Sequence, residues 1–167
     1  MTNSHLKTLI LGIGNTVRGD DGAGIYVAER LKVNLDSCLV DVKETCFAGL
    51  GLLDLMAGYE KVIIVDSASI RGGNPGDIYR FTQDDLALNS SPYSSHEMGL
   101  GTILHLARET GICLPKDIVI YVVKIDDRDD FFEGLTKKIK DSMSKMVELI
   151  RQEVNGCQMQ WPVIRHQ

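Results

Sequence analysis

Runs of consecutive apolar residues alternate along this chain with segments in which apolar residues recur at helical spacing. The runs predict buried strands over Leu6–Leu11, Cys38–Val42, Val62–Val65 and Ile118–Val123. The helical spacing predicts helices over Ile25–Leu35, Leu50–Ala57, Gly99–Glu109 and from Gly134 to about Val154. Strict alternation predicts a more exposed strand over Asp77–Phe81.

Strands that alternate with helices predict an α/β fold, in which helices cover both faces of a mainly parallel, twisted sheet. No repeat and no long linker divides the chain, so we expect a single domain over residues 1–154. Residues 155–167 have no clear periodicity and are predicted to form a C-terminal tail.

Composition excludes several classes of partner. The net charge of -5 leaves no excess of basic residues to neutralise a phosphate backbone, so nucleic acid is not an expected partner. No apolar run has the roughly 20 residues of a membrane span, and the N-terminal run is too short for a signal peptide. Four cysteines without a CxxC pair fit reduced thiols. We therefore expect a cytoplasmic protein that does not bind membranes.

Three acidic residues and one histidine are the candidates for chemistry. Asp20 and Asp21 follow the first strand, Asp66 ends the strand Val62–Val65, and His96 stands between a polar loop and a helix. Loops that follow parallel strands converge at one edge of the sheet, where ligands bind. Each residue also has a simpler interpretation, since an aspartate or histidine at a helix start is often a cap.

Two carboxylates and an imidazole suit a borderline divalent ion such as Zn²⁺ or Ni²⁺. Three protein ligands leave positions open for water or for a ligand from a partner. If Asp20 or Asp21 shares one ion with Asp66 and His96, the distances from metal to ligand should be about 2.0 to 2.2 Å.

Two further features of the sequence, a glycine-rich loop and a cysteine, suggest other functions. Gly12 and Gly14 resemble the start of a dinucleotide-binding loop, but Val17 replaces the third glycine and no Walker motif follows. Cys46 could act as a nucleophile, with His96 as base and Asp66 as its orienting group. We instead predict that Cys46 is a small buried packing residue.

Three motifs in a fixed order together resemble the hydrogenase maturation endopeptidases. They are the glycine-rich segment from Leu9 to Gly24, the strand end Val65-Asp66-Ser67-Ala68, and the segment Ser95-His96-Glu97-Met98-Gly99-Leu100. The resemblance spans roughly residues 6 to 154. It departs from the family at Asp21, where relatives frequently have Glu, and at Cys46-Phe47-Ala48-Gly49, where many members are rich in Gly and Thr.

The resemblance implies an aspartyl-type endopeptidase that removes the C-terminal extension of a nickel-loaded hydrogenase large-subunit precursor. It assigns both metal contact and catalysis to Asp21, Asp66 and His96. The metal is nickel carried by the substrate, for which zinc or cadmium could substitute in crystals. A non-proteolytic nickel chaperone or docking factor with the same three residues is the alternative.

Overall fold

The computed structural model describes residues 7–35, 38–46, 49–87, 99–126 and 131–156. The strands in these residues are β1 Thr8–Ile13, β2 Val40–Thr45, β3 Lys61–Ala68, β4 Ile78–Thr82 and β5 Asp117–Lys124. The helices there are α1 Ala23–Asn34, α2 Gly51–Met56, α3 Gln83–Ala87, α4 Leu100–Glu109 and α5 Lys137–Val154. A 3-10 segment, Thr16–Gly22, lies between β1 and α1 and is kinked where Arg18 and Gly19 leave helical geometry.

The strands form one sheet in the order β2-β1-β3-β5-β4. β1 pairs in parallel with β2 and β3, and β3 pairs in parallel with β5. Only the edge strand β4 is antiparallel, to β5, among the strands that the structure describes. The predicted α/β fold with a mainly parallel sheet is therefore confirmed.

Successive residues of each strand point to opposite sides of the sheet, and helices cover the apolar side chains on both sides. On one face, Leu9 and Ile64 pack in a cluster with α2 and α4. On the other face, Ile10 and Ile63 pack in a cluster with α1 and α5. Residues of β3 from Val62 to Ala68 are all buried, which explains the continuous apolar run in its sequence.

Two differences from the predicted elements have local causes. β2 begins at Val40 rather than at Cys38, and it continues through polar residues to Thr45. β2 is an edge strand, so its polar side chains stay half-exposed while its backbone pairs with β1. The helix α3 was not predicted; Thr82 and Asp85 exchange hydrogen bonds at its start in the manner of a capping box.

Two glycines allow α1 to approach the sheet closely. A Cβ added at Gly24 would lie 2.2 Å from the carbonyl oxygen of Ile13 and 2.4 Å from that of Val65. A Cβ added at Gly12 would lie 2.5 Å from the carbonyl oxygen of Gly24. Gly12 in β1 and Gly24 in α1 therefore serve backbone packing, and this contact sets the start of α1 directly on the ends of β1 and β3.

Gly24→Ala is expected to lower the free energy of unfolding by about 1–3 kcal/mol, because the new methyl group overpacks a site with rigid backbone neighbours. Urea unfolding followed by circular dichroism would measure the change. The matched control is Gly51→Ala at the start of α2, where an added Cβ meets nothing within 4 Å. The control should change stability by no more than about 0.5 kcal/mol, and equal losses in both variants would refute the packing argument.

A polar network holds the C-terminal part of α5 against the sheet. The Glu153 carboxylate accepts hydrogen bonds from Lys61 (2.8 Å), Arg80 (2.9 and 3.2 Å) and the Tyr121 hydroxyl (2.9 Å). Burial alone would raise the pKa of Glu153, but the bonds from Arg80, Lys61 and Tyr121 outweigh it and lower the pKa to about 2. The network thus ties α5 to β3, β4 and β5 through one ionised carboxylate.

None of the described helices combines the length and apolar composition that crossing a bilayer requires. The predicted division into a domain over 1–154 and a tail over 155–167 stays a prediction. α5 does end at Val154, and residues 157–167 lie outside the described residues.

Candidate functional site

Asp66 lies at the C-terminal end of β3 and is 1% exposed. Its Oδ1 accepts a hydrogen bond of 2.7 Å from the backbone N–H of Ser67. A buried carboxylate loses its hydration, and this loss must be offset by hydrogen bonds or by a cation. The Ser67 N–H supplies part of that compensation and fixes the orientation of the carboxylate.

Asp21 lies in the 3-10 segment rather than in an irregular loop. Its carbonyl oxygen accepts hydrogen bonds from the backbone N–H of Asn15 (3.3 Å) and from the Ser67 hydroxyl (3.2 Å). Gly14 permits this close packing, since a Cβ there would lie 2.1 Å from the same carbonyl oxygen. The backbone of Asp21 is therefore held against the end of β3.

Ser67 joins the two aspartates. Its backbone N–H binds the Asp66 carboxylate, and its hydroxyl binds the Asp21 carbonyl. The structure thus brings Asp21 and Asp66 together at the edge where β1 and β3 end. Ser67 was not predicted as a site residue, although a hydroxyl residue directly after a strand-end aspartate could have indicated it.

His96 lies outside the described residues, as do residues 88–98 around it. In the ranges that the structure describes, no three His, Cys, Asp or Glu side chains are placed to share a metal ion. The expectation that Asp21, Asp66 and His96 bind one ion, and their catalytic roles, therefore stay predictions.

Asp20 has a different structural role from the adjacent Asp21. Its carboxylate accepts hydrogen bonds from the backbone N–H (2.6 Å) and the hydroxyl (2.8 Å) of Thr136, the residue that precedes α5. A carboxylate at this position also complements the positive end of the helix dipole. Asp20 thus helps to cap α5, a helix 116 residues away in sequence, and not the adjacent α1.

Asn15 and Gly19 shape the rest of the 3-10 segment. The Asn15 side chain accepts a hydrogen bond of 3.1 Å from the backbone N–H of Val17 and so caps the segment. Gly19 has a φ of 59° and donates its N–H to the carbonyl oxygen of Phe132 at 2.8 Å. An added Cβ at Gly19 would overlap the Phe132 ring, so this position requires glycine.

Cys46 follows β2 directly and is an exposed free thiol. The prediction of a buried packing residue is therefore wrong. The physical reason is its position, because Cys46 lies just beyond the end of the edge strand β2, where its side chain is open to solvent. Exposure alone does not make the thiol a nucleophile, because reactivity depends on stabilisation of the thiolate.

Cys46→Ser is expected to keep the endopeptidase activity that the sequence resemblance implies within about twofold of the wild type, because an inert thiol contributes nothing to the transition state. The initial rate of precursor shortening, followed by gel electrophoresis, measures the effect. Cys113→Ser removes another exposed thiol and serves as the matched control. Complete inactivation of a folded Cys46→Ser protein, with an active control, would assign the chemistry to a cysteine nucleophile instead.

Comparison with known proteins points to one family. A family model described as hydrogenase maturation protease matches residues 25–153, a range that includes both Asp66 and His96. The chain is 26% identical over 147 residues to the hydrogenase 2 maturation protease of Escherichia coli K12, covering 87% of this chain and 88% of that protein. It is 28% identical over 149 residues to the hydrogenase expression/formation protein HupD of Thiocapsa roseopersicina, covering 87% of this chain and 66% of that protein.

Solved structures agree with this relationship. The hydrogenase maturating endopeptidase HybD from E. coli superposes with a TM-score of 0.76 at 26% identity, covering 90% of this chain and 93% of that one. The [NiFe] hydrogenase maturation protease HycI from Thermococcus kodakarensis superposes with a TM-score of 0.69 at 27% identity, covering 92% and 95%. Since the family model spans well over half of the chain, this protein belongs to the hydrogenase maturation protease family.

Proposed function

We propose that this protein is an endopeptidase that removes the C-terminal extension of a nickel-loaded hydrogenase large-subunit precursor. In this proposal, Asp21, Asp66 and His96 contact the nickel, which belongs to the substrate. The observation that carries the proposal is the buried carboxylate of Asp66, which Ser67 links to the backbone of Asp21 at the sheet edge. The relatives named above as maturation proteases support the peptidase part.

The donor set suits a borderline divalent ion. Carboxylate oxygens together with an imidazole nitrogen bind Ni²⁺ and Zn²⁺. A carboxylate that is 1% exposed gains more from a nearby cation than one in water, because charges interact more strongly where the dielectric is low. Asp21 carries one methylene fewer than Glu, and its backbone is held in place by Asn15 and Ser67.

The residues of this chain contribute mainly by positioning. Contact between the substrate's nickel and the two aspartates would hold the precursor so that its scissile peptide lies beside the end of β3. A substrate that is already bound in the correct geometry loses much less entropy on reaching the transition state than one that must first collide with the enzyme from solution. Ser67 orients the Asp66 carboxylate through its N–H and keeps Asp21 beside it through its hydroxyl. We propose that this processing takes place in the cytoplasm.

The test compares two forms of one precursor. The purified protein should shorten the nickel-loaded large-subunit precursor and leave the nickel-free precursor uncut, because the metal is the recognition element. Mass spectrometry of the products would identify the cut. Equal cleavage of both forms would refute recognition through nickel. Tight binding of the loaded precursor with no cleavage would replace the peptidase by the alternative function, a nickel chaperone or docking factor.

A further inference from the structure

A cleft of about 470 Å³ lies beside the 3-10 segment, and nothing in the proposed reaction uses it. Three parts of the chain form its walls: Thr16 and Val17 from the 3-10 segment, Tyr26 and Glu29 from α1, and Phe131–Glu133. Val17 is 60% exposed and Phe131 is 78% exposed. Large apolar side chains that are grouped and open to water are typical of surfaces that bind a partner.

Two carboxylates give this apolar cleft a defined charge. Glu29 and Glu133 both line it, and among the described residues neither forms a salt bridge or a side-chain hydrogen bond. The Arg18 guanidinium lies over the Phe131 ring, 6.0 Å from its centre, and has a further interaction of its own. The Phe131 ring and two available carboxylates together suit a Lys or Arg side chain, whose stem packs on apolar surface while its charge meets the carboxylates.

The cleft shares a wall with the segment that carries Asp21. A Cβ added at Gly22, the residue after Asp21, would lie 2.9 Å from the Cα of Thr16. The other wall is held to the same segment by the hydrogen bond from Gly19 to Phe132. A chain bound in the cleft would therefore lie next to the proposed nickel contact.

We infer that the cleft binds a segment of the hydrogenase precursor in which a Lys or Arg neighbours an apolar residue. This inference rests on the proposed function and adds a second contact to it, one that does not involve nickel. The acidic cleft and the nickel contact together would select a precursor both by its metal state and by its sequence.

The test neutralises the two carboxylates together. Glu29→Gln/Glu133→Gln should raise KM for the nickel-loaded precursor about tenfold, because a charge pair at the interface is lost. It should leave kcat within about twofold, because the loss falls on binding rather than on the reacting atoms. Phe131→Ser should raise KM as well. Unchanged KM in both variants would overturn the inference.

The matched control removes two exposed carboxylates from helices on the other face of the sheet. Asp54→Asn/Glu109→Gln changes the net charge by the same amount, and neither residue lies in the cleft. The control should leave KM unchanged. An equal rise in KM would show a general charge effect and would overturn the inference.

Binding of the nickel-free precursor separates this inference from the proposed function. The wild type should bind that precursor weakly through the cleft, and Glu29→Gln/Glu133→Gln should reduce the binding about tenfold in an immobilised-precursor assay. If the wild type cuts no precursor but shows this difference, the peptidase proposal fails and the cleft assignment stands. If the wild type cuts the loaded precursor but shows no difference, the cleft assignment fails alone. A concentration-dependent dimer that Phe131→Ser abolishes would assign the cleft to a second copy of the chain and overturn the inference.

Discussion

Asp66→Asn is expected to slow cleavage of the nickel-loaded precursor by about 100-fold or more, because the proposed nickel ligand loses the charge that would attract the metal. The amide has nearly the same shape as the carboxylate. Its Oδ1 can still accept the N–H of Ser67, so the end of β3 should keep its conformation. Initial rates of precursor shortening would measure the loss, and circular dichroism would show that the variant is folded.

The matched control for this prediction is Asp85→Asn. Asp85 also accepts a backbone N–H at 2.7 Å, from Thr82, but it caps α3 away from the ends of β1 and β3. The control should retain wild-type cleavage, apart from a stability loss of about 1 kcal/mol at the cap. His96→Ala should resemble Asp66→Asn, with residual activity if the carboxylates still hold the substrate. Wild-type rates in Asp66→Asn would contradict the proposed nickel contact.

Glu153→Gln is expected to lower the free energy of unfolding by about 3 kcal/mol at neutral pH, because it leaves Lys61 and Arg80 without their shared carboxylate. The Glu153 side chain is 15% exposed, so water compensates little for the loss. Urea unfolding of the purified variant would measure it. Glu148→Gln, on the same helix, is the matched control, because the contacts of Glu148 with Arg151 (4.0 Å) and Gln152 (3.1 Å) are exposed; it should change stability by about 0.5 kcal/mol or less.

The pH dependence of this effect follows from the pKa of Glu153, which is about 2 in the folded protein against an ordinary value of 4.5. A pKa that is lower in the folded state means that the ionised form stabilises the fold. The contribution, roughly 3 kcal/mol for such a shift, is complete above the ordinary value and is lost as the pH falls toward 2. The difference between the wild type and Glu153→Gln should therefore shrink between pH 5 and pH 2.5. A constant difference across that range would contradict this assignment.

The strands of the sheet could be predicted from the sequence where consecutive residues are all buried. β3 and β5 are buried on both faces, so their sequences are uninterrupted apolar runs that can be recognised without a partner. β2 is an edge strand, and its second half is held by main-chain pairing with β1 rather than by apolar side chains. Main-chain pairing does not require apolar side chains, so it produces no apolar run in the sequence. The predicted strand therefore began and ended too early.

The candidate site was predictable to the extent that it depends on strand ends. Asp66 lies near the C-terminal end of β3 and Asp21 follows the neighbouring parallel strand β1, and the rule for such strands predicts that both lie at one edge of the sheet. The separate task of Asp20 could not be predicted, because its partner Thr136 is remote in sequence. The bridge through Ser67 likewise depends on a contact between residues 46 positions apart.

The bond between Asp20 and Thr136 also bears on the order in which the protein folds during its own synthesis. As the chain leaves the ribosome, the segment beside Asp21 emerges more than a hundred residues before the helix that Asp20 caps. Until Thr136 and the residues of α5 have followed, Asp20 lacks its partner and one face of the sheet has no cover from that helix. A nascent chain therefore contains Asp20 and Asp21 before the bond to Thr136 can form, so this part of the fold is completed only after the start of α5 has been synthesised.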